Sequence, residues 1–150
     1  MIKESIERLE YLCKTIPTLL LQISETEFSV KTNPLKWSKK EIIGHLIDSA
    51  TNNHHRIVRG QFEERPKITY DNAVWNSGNH YQQMTAKQIV SFWTAYNNYL
   101  SELIKHIPID KMHNEVETGE EGDKNILTLE NVIIDYIDHM EYHLHQVIYY

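Results

Sequence analysis

The chain has 150 residues, 41% of them apolar and 24% charged, enough for one domain over residues 1–150 built on a hydrophobic core. Fifteen lysines and arginines stand against 21 aspartates and glutamates, and the resulting formal charge of −6 argues against a general nucleic-acid binder. No apolar run can span a bilayer, Met1-Ile2-Lys3-Glu4 does not read as a signal peptide, and a lone Cys13 excludes an internal disulfide, so a cytoplasmic protein without a membrane partner is expected.

Apolar residues recur at three- and four-residue steps, and this helical period predicts four helices. The first covers about 2–23, with Ile2, Ile6, Leu9, Cys13, Ile16, Leu20 and Ile23 on one stripe and a kink expected at Pro17. The second starts at Ser38, where Ser38-Lys39-Lys40-Glu41 has the form of a capping box, and runs to about Gly60. The third starts at a second capping box, Thr85-Ala86-Lys87-Gln88, buries Ile89, Phe92, Trp93, Tyr96, Leu100, Leu103 and Ile107, and stops at Pro108. The fourth starts near Thr128 and turns Leu129, Val132, Tyr136, His139, Met140, His143 and Val147 inward. Two long connections remain, an aromatic one over 61–84 and an acidic one over 109–127 that includes Glu115, Glu117, Glu120, Glu121 and Asp123. Four amphipathic stripes predict an all-α four-helix bundle.

Nine histidines are the compositional oddity. His139 and His143 stand four apart, on one face of a helix, and two imidazoles so placed can share a metal ion. The spacing alone is a weak motif, but both lie on the apolar stripe, where an unpaired imidazole is costly to desolvate. Two hydrogen-bonded core histidines are the other reading. His45, between Ile42 and Leu46, has a meaning that depends on whether it faces that pair. Three neutral imidazoles with one open position form a common catalytic zinc arrangement, and imidazole also suits nickel, copper and iron. His55, His145, His106 and His113 read as surface or loop residues. Asp48 and Gln146, each three residues past a histidine of this set, and Asp135, four before His139, are candidates to accept a ligand's second ring N–H. For Asp48 and Asp135 a solvated helix surface is the alternative. Trp37 reads as an anchor ahead of the second helix, Trp75 and Tyr81 as a cover or pocket wall, and Cys13 as inert packing.

Trp37-Ser38-Lys39-Lys40-Glu41-Ile42-Ile43-Gly44-His45-Leu46-Ile47-Asp48 resembles the W-S-x-x-E-x-x-x-H-L-x-D signature of the DinB-like (DinB/YfiT) superfamily. His139-Met140-Glu141-Tyr142-His143-Leu144-His145-Gln146-Val147 is similar to its H-x-x-x-H-L-x-Q-[IV] signature, about ninety residues downstream. The resemblance covers the whole chain. It implies a four-helix bundle of down-up-up-down connectivity, a nickel or zinc ion held by His45, His139 and His143, and frequent homodimers. Many members carry a further histidine beside the last ligand, where this chain has Tyr142. Members include transferases and isomerases that use low-molecular-weight thiols, and others labelled metal-dependent hydrolases.

The same ligands serve hydrolysis and thiol transfer, because a metal acidifies a water and a thiol alike. The expected function is therefore a metal-dependent S-transferase or hydrolase acting on a small electrophile. The alternative is a non-catalytic metal-binding bundle with a structural, sensor or scaffold role. No side chain beyond the metal ligands is singled out as a catalytic acid or base.

Overall fold

The computed structural model describes residues 2–119 and 125–150, so Glu120, Glu121 and Asp123 of the acidic connection lie outside the described residues. Four long helices dominate: α1 (Ile2–Leu20), α3 (Lys39–Gly60), α5 (Ala86–Lys105) and α6 (Leu129–Leu144). Two short ones intervene, α2 (Glu25–Ser29) and α4 (Asn72–Gly78). Both predicted capping boxes form: Ser38 Oγ accepts from Glu41 N while Glu41 accepts from Ser38 N, and Thr85 and Gln88 do the same. Each box satisfies two of the N–H groups that a helix start leaves unpaired. Helix α1 runs through Pro17 and ends at Leu20, so Ile23 lies beyond it.

The four apolar stripes meet in one core. Leu9, Leu12, Ile16 and Leu20 of α1 pack with Ile43, Leu46 and Ile57 of α3. Ile89, Trp93 and Leu100 of α5 and Ile133, Met140 and Leu144 of α6 complete it. Burying each such side chain contributes roughly 1.5–3 kcal/mol, set against the conformational entropy of ordering the chain. The principal packing pairs are α3–α6, α3–α5, α1–α5 and α1–α6, so each of α1 and α3 touches both α5 and α6. Phe92 departs from the expected stripe. It is 48% exposed and stacks on Tyr96 along the outer face of α5.

Helices α3 and α5 run in the same sense. Lys40, at the start of α3, donates to Met84 O just before α5, and His54 further along α3 meets Tyr96 in the middle of α5. Two parallel neighbours cannot be joined by a tight turn, so the 61–85 connection must return along the bundle. It does so as structure rather than as the open loop expected from sequence. Helix α4 is capped by Asp71, and a 3₁₀ turn follows at Tyr81–Gln83. Asn76 Nδ2 donates to Glu41 O, and Tyr81 inserts its ring over Gly44 while its hydroxyl donates to Asp48 Oδ1 at 2.6 Å.

The second connection also differs from the expected loop. After a 3₁₀ turn at Ile109–His113, β1 (Glu115–Glu117) pairs antiparallel with β2 (Ile126–Thr128), Val116 opposite Leu127. Ile68 N donates to Glu117 O and Glu117 N to Pro66 O, which ties the two connections together. The fold is an all-α four-helix bundle with a two-stranded ladder at one end.

A Cβ at residue 44 would fall 2.2 Å from the Tyr81 ring, whereas one at Gly78 would meet nothing within 4 Å. Gly44→Ala is therefore expected to lower the unfolding free energy by about 1–3 kcal/mol, and Gly78→Ala to leave it nearly unchanged, in paired urea titrations.

Candidate metal centre

His45 enters from the second turn of α3, and His139 and His143 from the last two turns of α6. The two helices run against each other here, because Gly60 at the far end of α3 packs on Leu129 at the start of α6. That antiparallel register brings three imidazoles together from positions about ninety residues apart. Each offers one ring nitrogen to a group whose members all lie within 4.8 Å of one another. His45 Nε2 and His139 Nε2 are 3.1 Å apart. Two nitrogens of a tetrahedral zinc site, each about 2.0–2.1 Å from the ion, stand roughly 3.3 Å apart, so the spacing fits a shared ion. All three ring pairs are edge-on, with centroids at 4.6–5.0 Å.

The DinB superfamily family model matches residues 2–147. The chain belongs to the DinB superfamily. Among solved structures, YfiT from Bacillus subtilis superposes with a TM-score of 0.86 over 97% of this chain and 83% of that one, at 18% identity. YfiT is described as a probable metal-dependent hydrolase with an unusual four-helix bundle topology. Mycothiol-dependent maleylpyruvate isomerase superposes with a TM-score of 0.79 at 11% identity, over 98% of this chain and 60% of that one. Both likenesses show a shared fold. No curated protein matches the chain in sequence.

Electrostatics keeps His45 and His139 neutral. Burial, reinforced by the neighbouring His139 and His143, pushes the His45 pKa down to about 3. Burial, His143 and the charge of Arg56 push His139 down to about 4. A neutral imidazole presents the lone pair that a metal needs.

The three residues expected to orient the ligands behave differently. Gln146 Oε1 lies 3.1 Å from His143 Nδ1, in place to accept that ring's N–H and leave Nε2 free. Asp48 is buried rather than solvated, but its Oδ1 accepts from Tyr81 and from Asn79 Nδ2, so the bonds it makes hold the 61–85 connection instead of a ligand ring. Burial holds its carboxyl up at about 6 despite both bonds. Asp135 is exposed and shares a cavity with His139. His45 Nδ1 is buried without a hydrogen bond among the described residues. Its ring is set instead by Trp37, whose centroid is 4.9 Å away, so the tryptophan read as a helix anchor also packs on a candidate ligand.

The remaining histidines lie apart from this cluster. His54 is half-buried with Nδ1 3.0 Å from Tyr96 Oη, His145 stacks on Tyr150, and His55, His80, His106 and His113 are exposed. Cys13 is buried, and burial pushes its thiol up to about 12, which suits packing rather than nucleophilic chemistry.

Beside His139 lies a cavity of about 320 Å³. Ser49, Asn53 and Arg56 of α3 form one wall, α6 contributes Tyr136 and Asp135, and the two connections close it with Tyr70 and Leu127. Ser49 Oγ lies 3.5 Å from His139 Nδ1. Tyr136 lines the cavity, but its hydroxyl donates to buried Asn97 Oδ1. Sequence reasoning missed Ser49 and Arg56 as site residues. The available signal was their spacing, since residues 45, 49, 53 and 56 follow one face of a helix.

Folded His45 and His139 resist protonation that the unfolded chain accepts below about pH 6.5. Between pH 6.5 and 4 the unfolded state binds more protons, so stability falls as pH falls. Asp48, with a raised folded pKa, acts in the opposite sense and loses stability as pH rises through about 6. For chelator-treated protein, each histidine is expected to remove on the order of 1–2 kcal/mol between pH 7 and 5. Denaturant titrations at the two pH values should show a smaller loss in His45→Gln than in wild type.

Proposed function

We propose that this member of the DinB superfamily is a metal-dependent enzyme, a thiol-dependent S-transferase or a hydrolase, acting on a small electrophilic substrate. The observation that carries the reading is the convergence of three imidazoles, one of which, His139, borders the cavity. Zinc or nickel suits an all-imidazole donor set. A bound divalent ion supplies Lewis acidity and brings the pKa of a water or thiol in its open position toward neutrality. A low-molecular-weight thiol is the proposed second substrate in the transferase form, and a cytoplasmic homodimer the proposed state.

The chain's own residues perform the rest. His45, His139 and His143 hold the ion. Gln146 accepts from His143 and so selects the tautomer whose Nε2 is free to bind. Trp37 packs on the His45 ring and limits its rotation. Ser49 stands behind His139 on the cavity side. The cavity admits a small substrate next to His139, an opening that a purely structural metal site does not need.

Metal content by mass spectrometry on untagged protein tests the site. Wild type is expected to carry one ion per chain, and His45→Ala, His139→Ala and His143→Ala to carry none. Gln146→Ala should keep the site but weaken affinity by about 10–100-fold in a chelator competition assay. An ion that is present but admits no exogenous thiol or azide, judged by the spectrum of the cobalt-substituted protein, would leave a structural role and sink the enzymatic reading.

A further inference from the structure

Among the described residues, Arg56 is the one lysine or arginine lining the cavity beside His139. It sits at the level of Tyr70, its guanidinium carbon 6.0 Å from that ring's centroid. A guanidinium carries five N–H donors. Nε and Nη2 donate to Ile68 O at 3.2 and 3.0 Å, and Nη1 donates to Asn53 Oδ1 at 3.3 Å. Among the described residues one N–H on each terminal nitrogen is left, and guanidinium N–H groups are well suited to a carboxylate. Burial acts against the charge of Arg56, and among the described residues no carboxylate pairs with it. Its charge reaches His139, whose protonation it opposes.

A cation partly withdrawn from water without an anion is costly, and among the described residues only neutral acceptors hold it. Such a group is held ready for an anion that arrives from outside. Asp135 lines the same cavity and brings a negative charge of its own, which favours a monoanion over a doubly charged phosphate. We propose that Arg56 anchors the carboxylate of a small organic acid, holding it in the cavity with its reactive end toward His139. The inference rests on the enzymatic reading above for what happens to that acid. The carboxylate-binding role itself needs no metal.

The test is a chemical-shift titration of the chelator-treated full chain by ¹H–¹⁵N NMR, using pyruvate and benzoate, with benzamide as the uncharged match to benzoate. Working without metal removes carboxylate binding to an ion as an explanation. Saturable shifts at the Arg56 Nε–H and the Asn53 side-chain amide are expected with at least one of the two acids, and none with benzamide. Arg56→Gln should weaken that binding more than about tenfold, the scale of a hydrogen bond to a charged group. Asp135→Asn should tighten it, and this variant decides the matter if Arg56→Gln fails to fold by circular dichroism. Equal binding of benzamide and benzoate, no binding of either acid, or tighter binding of inorganic phosphate than of both acids would overturn the assignment. His45→Ala should still bind the acid, and Arg56→Gln should still bind zinc, so a failure of the metal site and a failure of the anion anchor give different results.

Discussion

Polar groups buried on one face of α3 are the constraint around which the structure is arranged. His45, Asp48, Ser49, Asn52 and Asn53 are all withdrawn from water on a helix that also carries Ile43, Leu46, Ile47 and Ile57 into the core. Each such polar group costs free energy unless it finds a partner. Asn52 and Asn53 donate back to the carbonyls of Asp48 and Ser49, one turn earlier. Asp48 is served from outside the helix by Tyr81 and Asn79. His45 faces the two histidines of α6. The surroundings of α3 can be read as a set of partners for these groups.

That arrangement explains why the long crossover is ordered. A parallel α3–α5 pair needs a connection that travels the length of the bundle, and 61–85 could have been a loose strap. Instead Tyr81 reaches Asp48 across Gly44, a residue whose missing side chain leaves the room for the ring. The same segment contributes Tyr70 to the cavity and Ile68 O to the anchoring of Arg56. The second connection joins it through the backbone pairing of Ile68 with Glu117, so the cavity wall is built from both. The bundle supplies the histidines and the connections supply the room beside them.

The site also divides its tasks by environment. His45 is the most enclosed ligand candidate, with Trp37 on one side and the other imidazoles on the other. His139 borders the cavity, and His143 borders the surface, where Gln146 can meet its second nitrogen. An ion at their centre would be held from the core side and approached from the cavity side.

Much of this was legible along the chain. The helical period located the four long helices, because apolar residues at three- and four-residue steps have few other uses, and both capping boxes marked their starts to the residue. The local pattern could also place His139 and His143 on one face, since that follows from helix geometry alone. Phe92 was misplaced because an aromatic at the edge of a stripe can point either way, and packing against Tyr96 outside decided it. The short helix α4, the β1–β2 ladder and the role of Asp48 were not legible, because each depends on partners thirty or more residues distant, or on bonds between two segments neither of which is regular alone. Spacing alone left His45 undecided, and it was the resemblance to the DinB-like signature that named it beside His139 and His143. Sequence by itself determined the helices, their buried faces and the pairing of two histidines. Only the tertiary structure brought the third histidine to them and opened a cavity with Arg56 in its wall, because those contacts depend on how α3 and α6 lie against each other.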